Sequence, residues 1–255
     1  MKIKSIEFLL NHSGPVIQYR LRKEIIGNIS AQEEKQLLDE IYELPHMQLI
    51  QKYVKSNGYI GSGMHSWNNW RGTVLHETPL QDGETAARLL CYYAIPKEHP
   101  IVENFVKAMR DEKIMKSDNQ MHVKVKSRYY APCFALVTPI RAFDPDYIHT
   151  INYRRVLTEI AMLGVGNQVD VIRESLEAIS AATNREGVLK MNLAKPHNRR
   201  YSPMKIEYPT PYVDVRLEKS YKNDYGLDCD LTFWAVQFNK IVRENSQELF
   251  FKGSC

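Results

Sequence analysis

Ser30-Ala31-Gln32-Glu33-Glu34-Lys35-Gln36-Leu37-Leu38-Asp39-Glu40-Ile41-Tyr42 carries the pattern that decides the fold. Ser30 and Glu33 have the spacing of a capping box, in which each side chain satisfies a free backbone N–H at a helix start. Leu37, Leu38, Ile41 and Tyr42 then supply one apolar stripe at helical period. Upstream, Pro15 opens a helix carrying Val16, Ile17, Tyr19, Leu21, Ile25 and Ile26, because a first-turn proline lacks only a donor that has no partner there. Gly27-Asn28 is its stop. A short helix with Ile3, Ile6, Leu9 and Leu10 precedes it, so a succession of helices is expected before Pro45.

The same grammar returns downstream. Glu84 to Ala94 and Ile101 to Arg110 read as a helix pair separated by Pro96 and Pro100. Asp144-Pro145 opens a helix running to Gly164, and Asn167 caps another carrying Val169, Ile172, Leu176 and Ile179. A last helix holds Phe233, Trp234, Phe238, Ile241 and Val242. Strand signals are confined to Val123 to Val125 and Val213 to Leu217, pieces equally readable as extended loop. The expectation is an all-α protein.

Composition narrows the class. With 255 residues, 44% hydrophobic and 25% charged, the chain can bury one sizeable core or two small ones, which excludes disorder, collagen and coiled coil for the whole. No apolar run approaches the roughly 20 residues of a membrane span. Met1 to Leu10 imitate a signal peptide only until Glu7 interrupts them, so a soluble, cytoplasmic protein is expected. Cys91, Cys133, Cys229 and Cys255 are scattered without a C-x-x-C pair, which gives neither a disulfide framework nor a zinc knuckle. A net charge of +4, with acids interspersed among the bases, argues against dedicated nucleic-acid binding.

Two long, aromatic, turn-rich segments interrupt the helices, Ser56 to Gly83 and Gly187 to Asp228. Asn57-Gly58-Tyr59-Ile60 in the first answers to Glu186-Gly187-Val188-Leu189 in the second. Long inserted loops tend to be functional. The repeated order of helices, loop and helices suggests one domain over 1–255 made of two related halves, about 1–115 and 140–250.

Gly14-Pro15-Val16-Ile17-Gln18-Tyr19-Arg20, followed by a helix and later by Gly58-Tyr59-Ile60-Gly61 and His65, resembles the opening of uncharacterised bacterial proteins of the prenyltransferase and squalene-cyclase repeat superfamily. The resemblance covers mainly residues 5–110, with a weaker echo over 150–242. It implies an α/α toroid, a terpenoid cyclase-like ring of helical hairpins whose inner helices line a cavity and whose loops form its mouth. Protonating cyclases of that superfamily use D-x-D-D; here Asp228-Cys229-Asp230-Leu231 places a leucine where the last acid belongs. Prenyltransferase catalytic subunits have a zinc-binding D-x-C before a Phe-Trp pair, matched at Asp228, Phe233 and Trp234. Asp230 occupies the thiolate position, and the last histidine is His197, so the downstream zinc ligand is missing. Asp228 and Asp230 equally read as acids that precede and cap the last helix.

Gly61-Ser62-Gly63-Met64-His65-Ser66-Trp67-Asn68-Asn69-Trp70-Arg71-Gly72, running on to His76-Glu77, is the most distinctive stretch. Its indoles, amides, histidines and cation suit a ligand floor, because an indole face stacks on sugars or cations; equally, Trp67 and Trp70 can pin the loop to the helices below. His65, His76 and Glu77 fit no standard metal motif, and no G-x-S-x-G elbow nominates a nucleophile, so neither a metal nor a cofactor is expected. Lys113, Lys116, His122, Lys124, Lys126, Arg128, Tyr129 and Tyr130 read as a solvated edge diluted by Asp111, Glu112 and Asp118. Arg199-Arg200-Tyr201 is a candidate to meet that run across a cavity mouth as an anion site.

The combined expectation is a helical toroid that binds a small molecule, sugar or peptide at a concave mouth without either known chemistry. His65, Trp67, Trp70, Arg71, His76, Asp228, Asp230 and Trp234 are the candidate ligand-binding residues, and no catalytic residue is assigned. The rival reading is an enzyme acting on a glycan or isoprenoid through cavity carboxylates such as Glu77, Asp82 or Asp228. The third is a protein-interaction scaffold.

Overall fold

The computed structural model describes residues 3–61, 86, 89–90, 92–110, 170–190, 217–219 and 224–252. These residues are helical, and among them no strand occurs, only two isolated antiparallel bridges, Val54 with Ile60 and Thr183 with Leu189. The expected helix opened at Asp144-Pro145, the Val123 to Val125 piece, the basic run from Lys113 to Tyr130 and Arg199 to Tyr201 lie outside the described residues, as do Cys91, Cys133 and Cys255.

Helix α1 spans Ile3–His12 and buries Ser5 and Leu9. Helix α2 spans Pro15–Arg20 and begins with the proline at its first turn, as the sequence leads one to expect. It then widens into a π-helical stretch, Leu21–Ile26, that helical periodicity does not announce. Gly27 ends it at φ 73, in the left-handed region where a side chain is disfavoured, and its N–H bonds back to the Arg22 carbonyl. Helix α3, Ala31–Tyr42, opens on the expected box: Glu33 N–H reaches Ser30 Oγ at 3.2 Å and Ser30 N–H reaches Glu33 Oε2 at 3.0 Å. Helix α4, Pro45–Tyr53, starts at the proline where the sequence reading stops, and buries Met47 and Ile50. Residues 86, 89, 90 and 92 are helical, and helix α5 covers Pro100–Arg110. Helix α6 is Asp170–Ala182 and helix α7 is Gly226–Lys252.

Two compact units emerge. The first combines Met1–Glu34, Ala135–Lys195 and Arg216–Cys255; the second combines Lys35–Phe134 and Pro196–Val215. In the first unit α7 packs against α1, α2 and the π-helical stretch. Residues 229–238 of α7 are all buried, so this helix is enclosed on every side and shows no single apolar stripe. Leu9, Ile17, Tyr19, Leu21 and Phe233 are fully buried there, each contributing about 1.5–3 kcal/mol of transfer free energy. In the second unit, the Tyr59 and Phe105 rings meet edge to face at 5.6 Å. His46 Nδ1 shares a hydrogen bond with the Tyr93 hydroxyl at 3.2 Å, and His99 stacks at 4.7 Å on Tyr42. Burial pushes the His99 imidazole below its ordinary pKa.

Each unit contains one turn of the same construction. After α4, Lys55 N–H bonds to Tyr59 O, Gly58 N–H to Lys55 O, and Gly61 N–H to Tyr53 O. After α6, Asn184 N–H bonds to Val188 O, Gly187 N–H to Asn184 O, and Lys190 N–H to Ala182 O, in the same register. Gly58 and Gly187 both sit at φ 84. Each presses its bare Cα against a helix. A Cβ on Gly58 meets the Asn104 carbonyl of α5 at 2.8 Å, and one on Gly187 meets the Ser5 nitrogen of α1 at 2.6 Å. Glycine is needed at both positions for two reasons, the positive φ and the close approach.

Candidate functional site

The start of α7 gathers the acids that the sequence singles out, and the geometry assigns them partners. The helix begins at Gly226, so Asp228 and Asp230 lie within its first residues and do not precede it as caps. Asp228 forms an ion pair with Lys190. Asp230, fully buried, accepts the Leu217 N–H at 3.3 Å. Thr232 Oγ1 accepts the Leu189 N–H at 3.0 Å. Glu218 is also buried and accepts the Gly14 N–H at 2.8 Å. A Cβ at Gly14 comes within 2.9 Å of Glu218 Oε2, so a side chain there requires the Glu218 carboxyl to shift.

These bonds share one consequence. Leu189 and Lys190 immediately precede residues 191–216, and Leu217 and Glu218 immediately follow them. Thr232 and Asp228 hold the leading end and Asp230 holds the trailing end, with Glu218 tied onward to the N-terminal helices through Gly14. The first two turns of α7 therefore hold the second long insertion at two places, on either side of residues 191–216.

Electrostatics follow from this burial. Burial raises Glu218, its bond from Gly14 opposes the rise, and neighbouring Asp230 adds to it, leaving the carboxyl at about 7. Glu218 is thus far easier to protonate near neutrality than an ordinary carboxylate. Burial, then the charges of Glu218, Asp228 and Asp230, push the Cys229 thiol up to about 12. A thiol so placed is unreactive at neutral pH, because the thiolate is the nucleophile and the metal ligand. Among the described residues no group of three or more His, Cys, Asp or Glu side chains is placed to hold a metal ion.

On the adjoining surface of α7, Arg20 is buried and grips Glu24 with two hydrogen bonds of 2.9 Å. Its guanidinium lies 5.0 Å above the Phe233 ring and 5.5 Å from the Trp234 ring. Gln237 Nε2 donates to Glu24 Oε2 at 3.0 Å. Trp234 is therefore part of the packing around a half-buried ion pair, with 5% of its surface exposed.

Of the candidate residues, the structure places Asp228, Asp230 and Trp234 on one helix and gives each an internal partner. His65, Trp67, Trp70, Arg71 and His76 lie outside the described residues, as do Glu77 and Asp82. Sequence reading did not pick out Glu218, Lys190, Thr232, Glu24 or Gln237. Their partners are remote in the chain, 204 residues in the case of Gly14 and Glu218, and no local pattern marks such a pair. Arg20 carried a local signal, a cation inside an otherwise apolar helical stripe. No family model, curated protein or solved structure matches the chain.

Proposed function

We propose that the protein is a ligand-binding helical-hairpin array, related in architecture to the prenyltransferase and terpenoid-cyclase toroids, in which the two long insertions supply the working surface. Its ligand is a small molecule, sugar or peptide held by His65, Trp67, Trp70, Arg71 and His76, without the chemistry of either relative. One observation carries this reading: the phrase that resembles the catalytic motifs is occupied in holding the second insertion on either side of residues 191–216. Asp228, Asp230 and Thr232 pair with Lys190, the Leu217 N–H and the Leu189 N–H. The matching turns after α4 and α6 support the repeated arrangement on which the toroid reading rests.

Titration of the full chain with cellohexaose, farnesyl diphosphate and a decapeptide pool, followed by tryptophan fluorescence, tests the proposal. A saturable change with one of the three, lost in the Trp67→Ala/Trp70→Ala double variant, with the ligand recovered chemically unchanged, is expected. A fluorescence change that survives that double variant, or no saturable change with any probe, overturns it.

The enzyme reading has one feature in its favour, the buried Glu218 carboxyl, which burial and neighbouring Asp230 raise to about 7. Recovery of hydrolysed or cyclised product in the same titrations, abolished by Glu218→Gln, establishes that reading in place of the first.

A further inference from the structure

A cavity of about 220 Å³ lies within the first unit, between α1, α6 and α7. At about 30 Å³ of liquid volume per water, it has room for about seven waters. That is well below the roughly 300 Å³ at which drug-sized pockets begin. Its lining is mixed and carries no charge: Leu176, Ile179 and Ser180 share one face of α6, which Thr183 continues, Thr232, Ala235, Val236 and Asn239 share one face of α7, and Ser5, Gly187 and Leu189 complete it.

The hydrogen-bond inventory of the polar side chains specifies the occupant. Ser5 gives its hydrogen to the Gly187 carbonyl at 2.6 Å and Thr183 gives its own to the Ile179 carbonyl at 2.6 Å, so both oxygens face the cavity as acceptors only. Thr232 Oγ1 accepts the Leu189 N–H at 3.0 Å, which leaves its hydrogen to donate. Asn239 gives one N–H to the Ala235 carbonyl at 2.8 Å and keeps the amide oxygen and a second N–H. Ser180 is an exposed helical residue at the rim, able to give and accept. Donors and acceptors are thus interleaved with aliphatic carbon on both helix faces. Waters alone leave that carbon wetted, and a purely apolar guest strands the hydroxyls. A charged guest meets no counter-charge.

We propose that this cavity binds a neutral cyclic polyol, a monosaccharide or an inositol-type ring, whose hydroxyls meet the Ser, Thr and Asn side chains while its C–H groups lie on the leucine, isoleucine and valine side chains interleaved with them. None of the lining residues named belongs to the tryptophan segment, and the proposal does not depend on the function proposed above. Because Ser5 both lines the cavity and seats α1 on Gly187, an occupied cavity also steadies α1.

Saturation-transfer NMR on the full chain with methyl α-glucoside and, separately, myo-inositol tests the proposal, with glucuronate and glucosamine as charged controls. Saturable binding of one of the neutral rings is expected, about tenfold weaker for the charged analogues and unchanged between pH 5 and 8. Ser180→Leu and Asn239→Leu each block the space and remove a polar partner, and are expected to weaken binding about tenfold or more. Ser180 is exposed, so its variant folds whatever becomes of the Asn239 one, and circular dichroism verifies both. The Trp67→Ala/Trp70→Ala variant is expected to bind the ring as the parent does. Absence of saturable binding by both rings, binding that persists in the folded Ser180→Leu variant, or binding lost only in the tryptophan variant overturns the proposal.

Discussion

The turn at 54–61 closes on α5, the next described complete helix of its own unit, whereas the turn at 183–190 closes on α1, with 182 residues between Ser5 and Gly187. Inside, the two turns share their backbone bonds, residue for residue, and the same φ at glycine. They differ in how one donor is satisfied. Tyr59 N–H takes the Asn57 side-chain oxygen at 3.0 Å, while the matching Val188 N–H takes that of Asn184 at 2.8 Å, from a different place in the turn. Turn geometry is therefore a local property that more than one sequence can meet. The helix that covers it is a tertiary choice. Closing the longer of the two loops costs about 1 kcal/mol more in chain entropy, so the α1 contact is the weaker partner on entropic grounds alone.

The strongest way to break the comparison is at the glycines. Gly58→Ala and Gly187→Ala each introduce a strained φ and a backbone clash, and each is expected to cost about 3 kcal/mol in chemical denaturation. Gly27→Ala is the control: it shares the positive φ but has nothing within 4 Å of its Cβ, so about 1 kcal/mol is expected. Equal losses at all three positions show that conformation alone, without helix cover, accounts for the glycines. Hydrogen exchange separates the two turns further, since Gly187→Ala is expected to deprotect α1 and Gly58→Ala is expected to deprotect α5.

Acidity acts on the second turn through its clamp. The Glu218 carboxyl titrates higher folded than unfolded, so its protonated form favours folding. The sign follows: this contribution is complete below about pH 4.5 and is lost as pH rises towards 7. Glu218→Gln keeps the acceptor for Gly14 and removes the titration. The variant is expected to gain stability over the parent as pH rises, by up to about 3 kcal/mol at pH 8, in parallel urea melts. A difference that stays flat across that range removes Glu218 from the account.

Ser5→Ala tests the seat of α1 alone. It removes the buried hydrogen bond to the Gly187 carbonyl without adding bulk, and about 1–2 kcal/mol of lost stability is expected by thermal denaturation. Lys190→Met is the mildest change. Its ammonium is largely solvent-exposed against Asp228, and a loss of under about 1 kcal/mol that shrinks further in high salt is expected.

Helix boundaries are the most legible part of the fold, because capping is chemistry between near neighbours. Pro15, Gly27 and the Ser30–Glu33 box each announce themselves within a few residues. Helix α4 was not read, since only Met47 and Ile50 of its nine residues are buried and its other positions give no stripe. The π-helical stretch leaves no periodic mark. At the candidate site, Asp228, Asp230 and Trp234 stood out by type, yet their environment did not, because Lys190, Leu217 and Arg20 reach them through the tertiary fold. The acids look like caps in the sequence because the helix that contains them starts earlier, at Gly226, and is buried on all sides instead of along one stripe.

The grip of α7 on residues 189–190 and 217–218 makes the covalent continuity between them dispensable for holding those two places together. A single proteolytic nick in 191–216 leaves Leu189 and Lys190 on one piece and Leu217 on the other, all still bonded to one rod, so the severed pieces are expected to travel as one particle and to part only when that rod itself melts.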